Sequence, residues 1–421
     1  MSEPTEASDP NPVPGDGLIV GPVTVGEVAH GGHCVARVAD PSAGSGGRVV
    51  FVRHALPGEQ VLVRLTDTSH QRFWRGDAVE IVVGASDRRP PPCPAFRPGG
   101  CGGCDFQHAT EDAQRDLKRR VVAEQLRRLG GIEWAGEVEE VAPVWAWRTR
   151  MRYLLTPDGP GLRAHRSHEV IPVPPEGCRI AADRGALGEI MQDLETHASG
   201  VRRSGSDPLS GSDPDGVETI PELLVVASPD GIRTGPPGSR EAIEERAGGR
   251  TFGLDLGGFW QVHPRAADVL VAAVLDGLEP AAGERAFDLY CGVGLFAGAL
   301  ADRGVRVWGV ESARRAIEHA RRNVPDARFS VGRVERTLRT LPKTTDLVVL
   351  DPPRAGAGRA VLEQLTRRRP RAVAYVACDP AALGRDVAYA QELGWRIQEI
   401  RAFDLFPQTH HVECVAIFTR S

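Results

Sequence analysis

"FDLYCGVGLFAGAL", residues 287–300, decides how the second half of this chain folds. A short apolar run carrying one acid, Asp288, gives way to Gly292 and Gly294 and then to residues that suit a helix. Strand, glycine turn and helix start follow in that order, and glycines without a Cβ let backbone approach a ligand closely. The spacing is G-x-G-x-x-x-G, which departs from the dinucleotide fingerprint G-x-G-x-x-G, so the stretch gains its weight from its surroundings. Glu311 ends the next strand-like run, "VWGVE", about twenty residues on, where an acid can accept both ribose hydroxyls of a nucleotide. Simple helix capping is the plain alternative for both acids.

Outward from this stretch the rhythm is regular. "RAFDLYC", "VRVWGVE", "ARFSVGR", "DLVVLDP", "AVAYVAC", "WRIQEIRAFDL" and "HVECVAIFT" read as strands, with helical stretches such as "AIEHARRNV" and "AVLEQLTRR" between them. Alternation of this kind predicts an α/β, doubly wound and mainly parallel sheet. The last two strands are close together in sequence and can form an antiparallel pair. "VVLDPPRAGAG" (348–358) ends a strand in Asp351 and then fixes the loop with two prolines. In "VAYVACDPAAL" (373–383) an apolar strand ends at Cys378, with Asp379 suited to a helix N-cap and Pro380 to the first helical position. Cys378 is thus expected at the ligand-binding edge of the sheet, facing a helix N-terminus that favours its thiolate. A small buried hydrophobe is the other reading of that cysteine.

The N-terminal half differs. "MSEPTEASDPNPVPGDG" is acidic and proline-rich, unlike a signal or transit peptide, and residues 1–16 are expected to form a disordered leader. Residues 17–84 alternate apolar and polar in "VTVGEV", "RVVFVRH", "QVLVRLTD" and "AVEIVVG", a pattern that predicts a small β-barrel. Residues 109–130 predict a helix with Leu117, Val121, Val122, Leu126 and Leu129 on one side. Arg115, Lys118, Arg119, Arg127 and Arg128 are expected on its solvated face, open to RNA contact. Residues 197–218 repeat "GSDP" and read as a flexible insertion. No segment approaches the roughly 18 uninterrupted apolar residues of a membrane helix, so a cytoplasmic chain without membrane contact is expected, monomeric by default. A formal net charge of −5 argues against non-specific nucleic-acid binding but leaves room for a local basic face.

Eight cysteines in a cytoplasmic chain point to metal, cluster or catalysis before disulfides. Cys93, Cys101 and Cys104 stand in a Pro/Gly loop and Cys178 lies far downstream; the C-x-x-C step is compatible with zinc or redox use. Cys34, Cys291 and Cys414 read as packing residues. Arg148, Arg150 and Arg152 interleave with Trp145, Trp147 and Tyr153, so one strand face is expected basic and the other aromatic. Such a face fits phosphate contact and base stacking, and equally a solvated face over an aromatic core.

Taken together, these stretches resemble the TRAM-domain uracil-5 RNA methyltransferases, a family of class I S-adenosylmethionine-dependent enzymes, along nearly the whole chain. "VVFVRHALPGEQVLVRL" resembles a TRAM barrel, and "CGGCDFQH", "WAWRTRMRY" and "GLRAHRSHEVI" a central region. "GFWQVHP", "DLYCGVGLF", "LDPPRAG", "VACDP" and "FDLFPQTHHVEC" resemble the catalytic motifs in the expected order. The resemblance implies a Rossmann-like catalytic domain over 256–421, preceded by an OB-like barrel (17–84) and an α+β central domain (85–255). It implies that Gln261, Tyr290, Glu311 and Asp351, with the glycine turn at Gly292 and Gly294, form the S-adenosylmethionine pocket. Cys378 would be the nucleophile and Glu413 the base, while Cys93, Cys101, Cys104 and Cys178 would hold a [4Fe–4S] cluster. Leu295 and Arg333 depart from the family pattern at two cofactor contacts. Arg354 stands where amino-group methyltransferases carry an aromatic residue, and the loop lacks the cysteine of cytosine-5 enzymes.

Uracil C5 is a poor nucleophile, so the chemistry sets the requirement. A thiolate adding to C6 places electron density on C5 for attack on the methyl group, and a base must then remove the C5 proton so that the thiolate can leave. His410 and His411 are read as supporting loop residues. A non-catalytic TRAM-type RNA-binding protein and a class I methyltransferase of a small molecule are the alternatives. Ribosomal RNA is favoured as substrate over transfer RNA by analogy alone.

Overall fold

The computed structural model describes residues 17–40, 46–183, 188, 211–212 and 218–420. The leader and most of the 197–218 insertion lie outside them. Strands β1 (Ile19–Thr24), β2 (Cys34–Val38), β3 (Arg48–Arg53), β4 (Gln60–Asp67) and β5 (Phe73–Val83) form one sheet in the order β1-β4-β5-β3-β2. Their alternation places Val50, Val52, Val61, Val63, Leu65 and Trp74 in a common core. The exposed Leu18, Ile19, Val82 and Val83 stand outside it.

The helix α1 (Glu111–Gln125) starts as its sequence dictates, with Thr110 Oγ1 accepting from Ala113 N at 3.4 Å, and runs on into a wider turn, Leu126–Gly130. It serves two cores at once. Leu117 and Val121 pack into the barrel core, whereas Val122 and Leu126 join the core of the C-terminal sheet. One expectation fails here. Lys118 is 1% exposed rather than solvated, its ammonium donating to Asp404 Oδ1 at 2.6 Å and to the Phe406 carbonyl at 3.0 Å. A charge is tolerated at such a site only because it is paired and hydrogen-bonded.

Strands β7 (Arg150–Thr156), β8 (Gly159–Arg163), β9 (Val170–Pro172), β12 (Glu222–Ser228) and β13 (Gly231–Gly235) form a central sheet in the order β13-β12-β7-β8-β9. The short pair β10 (Gly211–Ser212) and β11 (Glu218–Thr219) stands apart. The arginine stripe leading into β7 is divided among three jobs. Arg150 is buried against Glu245, Arg152 is exposed beside Glu222, and Arg148 lines a cavity of the central region. A hairpin, β14 (Ala242–Ala247) with β15 (Arg250–Asp255), sends Phe252 and Leu254 into the C-terminal core.

That core lies on one face of an eight-stranded sheet built from β6 (Val138–Glu140), β16 (Arg285–Leu289), β17 (Arg306–Glu311), β18 (Arg328–Val331), β19 (Leu347–Leu350), β20 (Ala372–Ala377), β21 (Trp395–Asp404) and β22 (Glu413–Arg420). The order is β18-β17-β16-β19-β20-β22-β21-β6. The five strands from β18 to β20 pair in parallel, and β22 is antiparallel to both β20 and β21. The doubly wound fold and the terminal antiparallel pair expected from the sequence are both present. Strand β20 is buried along its whole length, which is why it reads as an unbroken apolar run. Strand order reverses between β16 and β19, which places the ligand-binding crevice at their carboxyl ends.

Candidate active site

The glycine stretch forms the turn its composition dictates. Asp288, next to last in β16, is fully buried, and its Oδ2 accepts from Ala297 N at 2.8 Å, tying the strand end to the helix Leu295–Ala301. The two glycines are there for different reasons. Gly292 has φ +52 and a Cβ there would meet open space, whereas a Cβ on Gly294, φ +96, would lie 3.3 Å from Val324 Cγ2. Gly292 therefore faces the crevice and Gly294 lets the turn pack on the next helix. Tyr290 holds a left-handed φ of +65 without being glycine, a conformation more often found at functional sites than elsewhere. Leu295 is buried behind the turn, and Arg333 projects outward beside Glu335.

Three carboxylates gather at this edge. Glu311 Oε1 accepts from Ser312 Oγ at 2.9 Å and from Ala313 N at 2.8 Å. Burial pushes Asp288 up to about 8, against the pull of its Ala297 hydrogen bond and with the help of Asp351 and Glu311. Burial also lifts half-buried Asp351 to about 7, with Glu311 adding to it. Asp288 Oδ1 is buried without a partner. A cluster of acids with no cation among them is a site shaped for a positively charged ligand. Gln261 is half-buried beyond the β14–β15 hairpin, between Trp260, packed on Phe252, and Val262, whose carbonyl accepts from Thr149 N at 2.8 Å. Arg150 fixes the start of that segment by donating to the carbonyls of Leu256 and Gly258 at 2.7 and 2.9 Å. Phe259 stands 72% exposed beside it, an aromatic face that the sequence reading passed over.

Cys378 and Glu413 meet across β20 and β22. Cys378 follows the end of β20, and Glu413 opens β22 at 4% exposure. Asp379 caps the helix Pro380–Glu392 through Oδ1, which accepts from Ala382 N at 2.7 Å, as its sequence predicts. Burial drives Glu413 well above the usual carboxyl range; Asp351 adds to the rise and Arg354 opposes it. The thiol differs from expectation. A helix N-terminus alone would acidify it, but burial, then Glu413 and Asp351, outweigh Arg354 and push Cys378 up to about 11. Arg354 is exposed, and its guanidinium lies 3.4 Å from His411 Nε2. His410 donates through its backbone N to Asp105 Oδ2 at 3.0 Å, and its Nδ1 lies 2.6 Å from the same oxygen.

The loop after Asp351 is pinned by a group the sequence did not single out. Asp386 Oδ2 accepts from Ala357 N at 2.7 Å, Gly358 N at 3.1 Å and Tyr375 Oη at 2.6 Å. Cys378, Arg354 and His411 line a cavity of about 110 Å³. That is somewhat smaller than the ~150 Å³ of an engineered cavity that holds one benzene ring.

The other four cysteines lie elsewhere. Cys93, Cys101, Cys104 and Cys178 line one cavity of about 360 Å³ in the central region, all as free thiols, with Arg148 and Arg179 at its wall. Burial pushes Cys178 up to about 11 and Cys104 well above the ordinary thiol range. Gly103 N donates to Cys101 Sγ at 3.4 Å. Among the described residues, no group of three or more His, Cys, Asp or Glu is drawn together tightly enough for a single metal ion. No helix among them is long and apolar enough to cross a membrane.

The description "tRNA (Uracil-5-)-methyltransferase" belongs to the family model that matches residues 338–421, and a TRAM domain model matches 20–79. An uncharacterised RNA methyltransferase of Streptomyces avermitilis is 50% identical over 94% of this chain and 97% of its own length. The chain belongs to the TRAM-domain RNA uracil-5 methyltransferases. Within that family, the 23S rRNA (uracil(1939)-C(5))-methyltransferase RlmD of Shewanella sp. strain MR-4 is 30% identical over 88% of this chain and 91% of its own. The fold agrees with that of a Pyrococcus abyssi tRNA (uracil-54, C5)-methyltransferase in complex with S-adenosyl-L-homocysteine. Its TM-score is 0.70 at 24% identity, over 94% of this chain and 99% of that one. Family membership makes this an S-adenosylmethionine-dependent methyltransferase of uracil C5 in RNA.

Proposed function

We propose that the protein methylates a uridine of large-subunit ribosomal RNA through a covalent adduct between Cys378 and uracil C6. The observation that carries the reading is the meeting of Cys378, Glu413 and Asp351 at one sheet edge, with Cys378 also lining a cavity of about 110 Å³. The ribosomal assignment is supported by the RlmD relative, which aligns along most of the chain.

When bound, S-adenosylmethionine supplies an electrophilic methyl on a cationic sulfur. Glu311 and Asp351 supply the matching negative edge, Asp288 braces the turn behind them through Ala297 N, Gly292 gives the backbone approach, and Tyr290 and Gln261 the flanks. Cys378 adds to C6, and Glu413 accepts the proton from C5 after methyl transfer, releasing the thiolate. Both groups must ionise for this. The carboxylates that hold the thiol up are the ones a cation beside them would offset, so the occupied site favours the working charge state. Phe259 offers an exposed ring on which a base can stack.

Cys93, Cys101, Cys104 and Cys178 are proposed to hold a [4Fe–4S] cluster. Four free thiols around one cavity of about 360 Å³, with Arg148 and Arg179 in its wall, suit a group larger than one ion. Protein prepared without oxygen should be brown and carry iron and acid-labile sulfide in equal amounts; a colourless protein with stoichiometric zinc would contradict the cluster.

Substrate choice is tested by transferring tritiated methyl from S-adenosylmethionine to RNA of a strain lacking the protein. Label in large-subunit ribosomal RNA is expected; label confined to transfer RNA would overturn the ribosomal assignment.

A further inference from the structure

One wall of the Cys378 cavity is not catalytic-domain chain at all. The turn between β1 and β2 brings His30, Gly31 and Gly32 of the barrel to the cavity that Cys378, Asp379 and Arg354 line. Gly32 has φ +78, and a Cβ there would stand 2.5 Å from His410 Cβ, so only glycine allows the turn to seat this deeply. The surface under it is itself fixed. Asp105 and Phe106 both donate backbone N–H groups to the Gln408 carbonyl, at 2.9 and 3.1 Å, and Asp105 accepts from His410. From this turn His30 Nε2 reaches Asp379 Oδ2 at 3.0 Å. The other oxygen of that carboxylate caps the helix that begins beside Cys378.

We propose that His30 is a positioning residue contributed by the barrel. It holds the Asp379 carboxylate in place beside the nucleophile and so couples the seating of the barrel to the reactivity of Cys378. The inference rests on the reading of Cys378 as nucleophile given above. Asp379 needs such a partner because its neighbourhood is crowded with charge. Glu413 and Asp351 face the thiol from β22 and β19, Arg354 and His411 from the loops, Lys118 from α1, and Arg385 acts from the helix Asp379 caps. Asp379 as placed already adds to the rise of the thiol, and an ionised carboxylate free to turn closer would oppose its ionisation further; hydrogen bonds on both oxygens limit that turn. Helix α1, shared by the barrel core and the catalytic core, keeps the two bodies in register for this contact.

The test uses the full-length protein with ribosomal RNA and S-adenosylmethionine. His30→Ala should lower kcat about tenfold, the loss expected when a hydrogen bond to a charged group is removed, with KM for RNA and affinity for the cofactor unchanged. His30→Gln, which keeps a donor, should recover most of the loss. On an Asp379→Asn background, where the helix cap survives, His30→Ala should cost nothing further. A rise in KM at unchanged kcat would overturn the proposal by making His30 an RNA contact. Equal losses from His30→Ala with and without Asp379→Asn would overturn it as well, since His30 would then act by another route. Turnover by Cys378→Ala, measured alongside, would instead bring down the nucleophile assignment on which the inference stands.

Discussion

The catalytic cavity and the cysteine cavity are built on opposite terms. Around Cys378 the chain brings carboxylates together at the ends of rigid parallel strands, and the cation that would balance them is the one the reaction brings. Around Cys93, Cys101, Cys104 and Cys178 thiols from loops line one cavity, with Arg148 and Arg179 in the same wall. A transient cationic ligand suits a standing excess of acids, whereas the proposed resident cluster would sit beside cations already in place. The two sites should therefore respond differently to substitution and to added ligand.

The largest effects belong to the strand-end site. Cys378→Ala should reduce methyl transfer by roughly three orders of magnitude or more while leaving cofactor affinity within a few-fold, measured by single-turnover transfer and calorimetry. Retained turnover would remove the nucleophile. Next comes the pair that joins the two halves of the molecule. Lys118→Ala leaves Asp404 buried without its cation and should destabilise the protein by about 3–5 kcal/mol, read from denaturant unfolding. An unchanged midpoint would mean that water replaces the ammonium.

A smaller effect separates the two cavities directly. In the ligand-free protein the Cys378 thiol is held up at about 11, so alkylation followed by peptide mass spectrometry should show it slow at neutral pH. A cofactor analogue with an ammonium in place of the sulfonium adds positive charge near the thiolate. It should shift the alkylation profile of Cys378 to lower pH by about one unit; S-adenosylhomocysteine, without that charge, should not. In protein stripped of iron, Cys178, also held at about 11 but in the other cavity, should respond to neither. A common shift in both cysteines would erase the distinction.

Much of the sheet edge around Cys378 is legible in the sequence. "AVAYVA" reads as a buried strand because it is apolar on both faces, and Asp379-Pro380 reads as a helix start because its chemistry is local. What escaped the sequence depends on contacts far apart in the chain. Lys118 reads as solvated because the partner that buries it, Asp404, is 286 residues away. Arg150 reads as part of an RNA-facing stripe until Glu245 and the Leu256 and Gly258 carbonyls claim it. Strand β6 is only three residues, "VEE", too short and too charged for any period to show, yet it extends the catalytic sheet beside β21. The acidified thiol failed for the same reason. The helix terminus was visible in the sequence, and the burial and carboxylates that outweigh it were not.

The most direct test of the shared-ring chemistry uses Glu413→Gln, incubated with S-adenosylmethionine and substrate RNA and run on a denaturing gel. Without the base, the C5 proton stays and the thiolate cannot leave. The account predicts an RNA–protein species of retarded mobility, carrying the transferred methyl and linked through Cys378. A variant that binds cofactor and RNA yet forms no such species, or forms it through another residue, would contradict it.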